Sequence, residues 1–429
     1  MTSLIVILNG RLIGAITRQS GWPRFTYVDD YADDDAATPL SLSMPLVAGR
    51  TYDRKIAQPW LMNLLPDDAN VRESWAHEFG VPAGDSTALL EHVGRDCAGA
   101  VQLARPEDID DVLAEQGRLG LVTEKQIGAR LRALRTDPQH WTRADERWSL
   151  PGAQSKFTVV RTPDGRWAFP HGNAASTHII KPGIPGFFGQ AFNEHLCLNA
   201  LNAVGVASAQ SEFTEFDGAE AIVVERYDRL RRADGTVLRL HQEDMCQAMS
   251  VEPQKKYPSD GGPAAVDIAA LLKRDAAQRD VDRFTDAVVA QYLLGAPDGH
   301  AKNYSIILNG TNVTLAPVYD VASILPYQLD RESGLNRVAM PIAGRSRFGE
   351  VTLHGVERFA GAAGTDPQRL VARACDMAAQ FPDALAQAGA DFTSATLIQL
   401  RDKLKDTVAA HCASFEATGT HISDSSEAR

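Results

Sequence analysis

The stretch Asp298-Gly-His-Ala-Lys-Asn303 decides how this chain is read. It joins an Asp to an Asn five positions later, the spacing of a kinase catalytic loop. In such a loop the Asp orients or takes the proton of an attacking hydroxyl, and the Asn holds a metal. A helical spacing over about 279–294 precedes it. Ser305 to Leu308, the pair Asn309-Gly310 and Thr311 to Leu315 follow, and they predict a hairpin because Asn-Gly supplies the positive φ of a tight turn. The six residues also read as an Asp-Gly turn with a capping Asn, and taken alone the two readings weigh equally.

Working outward, Leu315-Ala-Pro-Val-Tyr-Asp320 ends the hairpin with a second Asp. The hairpin would fold Asp320 back toward Asn303, and two oxygen ligands suit Mg²⁺, which takes one or two carboxylates plus phosphate oxygens and water. A turn or cap Asp is the plainer alternative. Upstream, His178-Ile-Ile-Lys181 places a Lys at the end of an apolar strand, as the phosphate-pairing Lys of kinases is placed. Glu194 on the next helix is a partner for Lys181, or a solvated Glu. Ser149-Leu-Pro-Gly-Ala-Gln-Ser-Lys156 precedes a strand. Gly152 and its neighbouring amides could cover phosphates and Lys156 could neutralise them, although the pattern is neither a Walker A nor a G-x-G-x-x-G sequence. His178 and His300 lack a second His or Cys at ligand spacing, which favours structural roles. Ser149, His300 and Asp298 make no hydrolase triad, for there is no G-x-S-x-G elbow. Each signal is weak singly. Phosphate loop, strand Lys, helix Glu, strand, Asp-x₄-Asn and metal Asp together follow the part order of a two-lobed kinase.

The 429 residues exceed what one core usually supports. At 44% hydrophobic and 23% charged residues the composition is that of a globular protein, and no apolar run approaches the ~18 residues of a membrane span. A strand begins almost at Met1, without a basic leader, so a cytoplasmic protein is expected. Five cysteines without a CxxC pair argue against a zinc site or a disulfide framework. A net charge of −12 argues against unaided binding to bulk nucleic acid.

Along the chain, Leu4 to Leu8, Asn9-Gly10 and Arg11 to Thr17 predict a hairpin. Helical stretches are expected at about Gln58 to Glu78 and Ser86 to Val93, and the charged region 105–145 reads as a helical covering element. Strands are expected at Lys156 to Arg161, Arg166 to Phe169, Thr177 to Lys181 and Glu220 to Glu225, with a helix from Asn193 to Val204. After Asp228 helices dominate, at about 241–249, 264–273, 279–294, 367–389 and 393–416. A two-lobed plan of this kind places a small-ligand cleft between its lobes.

At these residues the chain resembles the HipA family, the kinase toxins of bacterial toxin–antitoxin modules. The resemblance covers nearly the whole chain. It includes Leu40-Ser-Leu-Ser-Met-Pro45, Asn63-Leu-Leu-Pro-Asp67, Val93-Gly-Arg-Asp-Cys-Ala-Gly-Ala-Val101, Val224-Glu-Arg-Tyr-Asp-Arg229, Gln242-Glu-Asp-Met-Cys-Gln247 and Ser259-Asp-Gly-Gly-Pro263, besides the segments at Ser149, Asp298 and Tyr319-Asp320. It implies an α+β, two-lobed protein-kinase-like fold, with a mixed N-terminal part of antiparallel strands and a mainly α-helical C-terminal lobe. The implied divisions are 1–105 for the N-terminal subdomain, 106–146 for a helical connection, 147–227 for an N-lobe-like region, 228–416 for the helical lobe and 417–429 for a disordered tail.

The resemblance also implies roles. Asp298 would be the catalytic base, with Asn303 and Asp320 holding Mg²⁺. Pro151, Gly152, Ala153, Gln154, Ser155 and Lys156 would form the phosphate loop, and Lys181 would contact the phosphates of ATP. Glu225, Arg226 and Tyr227 would be the adenine hinge, acting through backbone groups. His300, Ala301, Lys302 and Tyr319 would complete the nucleotide site. Ser149 matches the family's autophosphorylation serine, whose modification ejects the phosphate loop. The implied partners are a dimeric HipB-like helix-turn-helix antitoxin, operator DNA mainly through it, and a protein substrate, an aminoacyl-tRNA synthetase. Ser155 and Pro151 depart from the family's pattern in that loop. A corepressor acting through its antitoxin and a small-molecule kinase are the competing functions.

Overall fold

The computed structural model describes residues 3–114, 117–143, 145–328 and 334–426, with side chains as far as Thr418. The chain divides into two units. The first comprises Met1–Pro182, Thr214–Lys255 and Ile306–Val313, and the second Gly183–Phe213, Lys256–Ser305 and Thr314–Arg429.

In the first unit, strands Leu4–Leu8 and Arg11–Gln19 form the expected hairpin, with Asn9 at φ 52° and Gly10 at φ 74°. Trp22–Tyr27 and Thr51–Tyr52 extend the sheet on one side and Val101–Ala104 on the other, all antiparallel. The single helical stretch expected from Gln58 to Glu78 is two helices, Arg54–Met62 and Ala69–Phe79. Pro66 cannot continue a helix, and Asp68 starts the next one by accepting from the Asn70 amide at 2.8 Å. Helix Ser86–Val93 forms as expected. Phe25, Tyr27, Tyr52, Trp60 and Trp75 from these elements share one core.

A second, six-stranded sheet runs in the order Ser211–Phe216, Ala219–Glu225, His178–Pro182, Phe157–Arg161, Trp167–His171, Arg118–Val122. The strand Arg118–Val122 lies where only helix was expected. Its pairing with Trp167–His171 outweighs the local signal of a Gly-containing five-residue run. Helix Glu124–Thr136 follows, begun by a capping box between Thr123 and Gln126. The helix expected at 241–249 is half strand. His241–Asp244 is extended, and Asp244 then caps a short helix, Met245–Ala248. A small hairpin, Arg229–Arg231 with Val237–Arg239, precedes it.

The second unit is mainly helical: Gln190–Ala203, Ala265–Asp275, Gln278–Leu294, Leu353–Ala363, Pro367–Ala388 and Ala395–Ser426. Leu353–Ala363 has no counterpart in the sequence reading. The segment from 417, expected as a disordered tail, continues the last helix to Ser426, each added residue gaining one backbone bond; residues 427–429 lie outside the described part. Among the described residues no helix is long and apolar enough to cross a membrane.

Candidate active site

Helix Gln278–Leu294 is buried along most of its length and ends abruptly. Gly295 takes the left-handed conformation (φ 66°), where an added Cβ would meet Leu325 at 2.3 Å, and Pro297 prevents any continuation. Asp298 is therefore delivered just past the end of a rigid element. Its backbone oxygen accepts from the His300 amide at 2.9 Å and from Asn303 Nδ2 at 2.6 Å, which closes the loop on itself. Gly299 sits close against Gln291, whose side chain would have to shift to admit a Cβ there, 1.9 Å from Oε1. His300, Ala301, Lys302 and Asn303 are buried, yet the Asp298 side chain keeps 56% of its exposure. His300 Nε2 stands 3.8 Å from Asp298 Oδ1.

The strand that returns from the hairpin brings Tyr319 to this loop. The Ala316 amide donates to Ser305 O at 2.9 Å, and Tyr319 Oη lies 2.7 Å from both Lys302 O and Ser305 Oγ. Asp320 follows with φ 60°, a conformation that costs a non-Gly residue on the order of 1 kcal/mol or more. Its flanks are fixed. Val318 bonds on either side to Ala207 and Ala209, and Asn193 clasps Ser323 through both amide atoms, at 2.7 and 2.9 Å. Asp320 thus follows a residue tied to the loop of Asn303. An Asn amide and a carboxylate are hard oxygen donors of the kind Mg²⁺ accepts alongside phosphate. No cluster of three or more His, Cys, Asp or Glu occurs among the described residues, so a site built of protein carboxylates and imidazoles alone is not offered.

In the first unit, the loop Ser149–Lys156 is strapped down. Ser149 is fully buried and its hydroxyl donates to Leu64 O at 2.7 Å. The Asp67 amide donates to Gly152 O at 2.9 Å, Lys156 Nζ to Pro151 O at 2.7 Å and Ser155 Oγ to Pro138 O at 3.2 Å. Gly152 has φ 105°, and a Cβ there would meet Lys156 Nζ at 2.4 Å, so the loop curls around its own lysine. Gln154 Nε2 reaches Pro182 O at 2.8 Å, which ties the loop to the strand carrying Lys181. Lys181 is 6% exposed and opposite Ile222. Glu194, in the second unit, is wholly buried, which removes its solvated reading.

The hinge needs a correction. Glu225 and Tyr227 retain accessible surface, but Arg226 is committed elsewhere. Its amide donates to Thr177 O at 2.9 Å and its carbonyl accepts from the Arg229 amide at 3.1 Å. Its guanidinium bonds to Asp228, Ser176 and Cys97 O. Arg229 Nη2 bonds to Asp96 at 2.9 Å, and Arg239 Nε stands 3.6 Å from the same carboxylate. Burial by itself would raise the Asp96 carboxyl; Arg229, Arg226 and Arg239 outweigh it and hold it well below the usual carboxylate range. The resemblance implied a hinge through the backbone of Glu225 to Tyr227, and the partners of the Arg226 side chain, Asp96 and Ser176, are distant in the chain.

Reasoning from sequence also missed Tyr257, whose hydroxyl donates to Asp298 Oδ1 at 2.5 Å. Its adjacency to Ser259-Asp-Gly-Gly-Pro263 was the only available signal, and no spacing connects position 257 to 298.

Two family models cover most of the chain: the HipA N-terminal domain matches residues 4–104 and the HipA-like C-terminal domain residues 148–385. A Sinorhizobium fredii protein named "Putative kinase Y4mE" is 38% identical over 83% of this chain and 84% of its own length. The serine/threonine-protein kinase toxin HipA of Shewanella oneidensis is 26% identical over 84% of each chain. Among solved structures, HipA from the Shewanella oneidensis complex of HipA, HipB and operator DNA superposes with a TM-score of 0.83 over 98% of this chain and 99% of that one, at 21% identity. That likeness establishes the two-lobed α+β fold.

Proposed function

The chain belongs to the HipA family of kinases, and from that premise we propose that it is an ATP- and Mg²⁺-dependent serine/threonine-protein kinase with Asp298 as its base. The observation that carries this reading is the contrast within one residue: the Asp298 backbone oxygen is locked by Asn303 and His300, while its carboxylate stays exposed. A carboxylate held this way orients an acceptor hydroxyl and takes its proton as the oxygen bonds to the γ-phosphorus and ADP leaves. Asn303 and Asp320 would hold Mg²⁺, which when bound supplies positive charge to the phosphate oxygens. The loop Pro151–Lys156 and Lys181 would meet phosphates, and Glu225 and Tyr227 would flank adenine.

Ser149 is the proposed autophosphorylation site. A phosphoserine adds about −1.5 to −2 charge, and the buried hydroxyl on Leu64 O has no room to host a dianion. Modification would therefore hold the loop out and silence the enzyme. The name of the Shewanella oneidensis HipA toxin supports a toxin role, and the HipB and operator DNA of the Shewanella structure support a HipB-like antitoxin as the partner that reaches DNA; a dimeric helix-turn-helix form for it is what the family resemblance implies. With a net charge of −12, such an arrangement suits this chain better than direct DNA binding. An aminoacyl-tRNA synthetase is the proposed substrate, with stalled translation as the outcome.

The test is incubation with labelled ATP and Mg²⁺. Wild type is expected to label itself and a lysate protein, and Ser149→Ala to lose the self-label while keeping the other. A wild type that labels neither itself nor any lysate protein would overturn the kinase reading. A Ser149→Ala variant that still labels itself would overturn the serine assignment alone.

A further inference from the structure

The segment between Lys255 and Pro263 enters none of the roles above, yet it makes a direct side-chain contact with the proposed base. Tyr257 donates its hydroxyl to Asp298 Oδ1 at 2.5 Å. Its ring stands edge-on to the His300 ring, with centroids 4.8 Å apart and planes at 84°. The Lys256 ammonium lies 5.5 Å from the Tyr257 centroid. The backbone joins the same two segments, for the Ala301 amide donates to Lys256 O at 3.2 Å. Beyond Tyr257 the chain turns through Pro258–Asp260 and Gly261 (φ 81°), with Ser259, Asp260 and Gly261 exposed. The phenol is thus fixed from its ring and from its backbone, and its one polar atom is aimed at the base.

A phenol O–H on a carboxylate is a charge-assisted bond, among the stronger and more directional a protein makes. Such a bond narrows the rotamers open to Asp298, whose side chain is 56% exposed. With Oδ1 held by Tyr257, the orientation of the carboxylate toward an incoming hydroxyl is set. Catalysis of phosphoryl transfer rests mainly on such positioning.

We propose that Tyr257 is a positioning residue for phosphoryl transfer: its hydroxyl holds Asp298 Oδ1 and so fixes the carboxylate that meets the acceptor. The inference rests on the kinase reading of Asp298 and adds a residue that no motif spacing predicts. Tyr257→Phe isolates the hydroxyl, since the ring against His300 and the backbone bond to Ala301 are both kept.

The experiment measures kcat and the ATP KM for phosphorylation of the labelled lysate protein, in wild type and Tyr257→Phe, alongside Tm. The expected result is a fall in kcat of about 10- to 100-fold with ATP KM and Tm unchanged. An unchanged kcat overturns the positioning role. A raised kcat also overturns it, and shows that the phenol competes with the acceptor for the base. A fall in kcat accompanied by a higher ATP KM and a lower Tm reduces the contact to a structural one. If wild type transfers no phosphate at all, the kinase reading fails instead, an outcome distinct from the other three.

Discussion

In the turn Arg226–Arg229 the charged side chains are withdrawn from water, with Arg226 and Asp228 4% exposed and Arg229 7%, whereas in the loop Asp298–Asn303 the one carboxylate is left 56% exposed. The turn satisfies its charges internally. Asp228 accepts from Arg226, Arg229 and the Gly99 amide, and Asp96 from Arg226, Arg229 and Ser176. The loop does the reverse, fixing its path with backbone bonds while its carboxylate keeps its exposure to solvent. Buried charge with several partners makes a rigid scaffold, because removing any one partner strands the others. An exposed carboxylate on a fixed backbone is cheap to replace in stability and costly to replace in activity. Charge content alone does not tell the two apart, since both segments are short, polar and similarly placed after long apolar elements.

The sharpest way to break this contrast is Asp298→Asn. Phosphoryl transfer is expected to fall by about 10²–10⁴-fold, the usual contribution of a positioned base. Stability is expected to hold within ~0.5 kcal/mol, as for other exposed sites. Kinase assays and urea denaturation on the same samples read both, and a large loss of stability would refute the division of labour.

Asp96→Ala is the converse. It leaves Arg229, Arg226 and Arg239 facing a void, and an unpaired buried charge costs about 3–5 kcal/mol. Guanidinium denaturation should show a midpoint well below wild type. A midpoint within experimental error of wild type would mean that the cluster holds nothing together.

A third buried charge sharpens the rule by lacking what the cluster has. Glu243 is wholly buried, accepts from the Leu42 amide at 2.8 Å, and its Oε2 finds no hydrogen-bond partner among the described residues. Burial pushes its carboxyl up to about 8, against 4.5 for a free Glu, with Ser41 and Leu42 only partly offsetting it. Between those two values the unfolded chain releases the proton while the folded chain keeps it. The group's contribution to stability is therefore fully present below about 4.5 and is lost as the pH rises toward 8. Glu243→Gln should flatten this slope and stabilise the protein at pH ~8 by on the order of 2 kcal/mol. Denaturation curves near pH ~5 and ~8 decide it; equal slopes in the two proteins would place the titration elsewhere.

Much of this was legible in the chain itself, where the signal was local. Asn9-Gly10 and Asn309-Gly310 marked their hairpins, and Ser86 and Val93 bounded their helix. The reading failed where a residue's partner was remote. Arg226 belongs with Asp96 and Ser176, 130 and 50 positions away. The strand Arg118–Val122 exists because Trp167–His171 lies beside it. Pro66 was a local signal, and reading Gln58 to Glu78 as one helix overlooked it.

The sequence by itself determined the order of the parts and the backbone of the loop at Asp298, since helix caps, turn glycines and prolines act within a few residues of one another. Only the tertiary structure decided which charges would be buried and which left exposed. Burial depends on what the rest of the chain packs against a residue, and Tyr257 reaches Asp298 across 41 positions through contacts that no local pattern encodes.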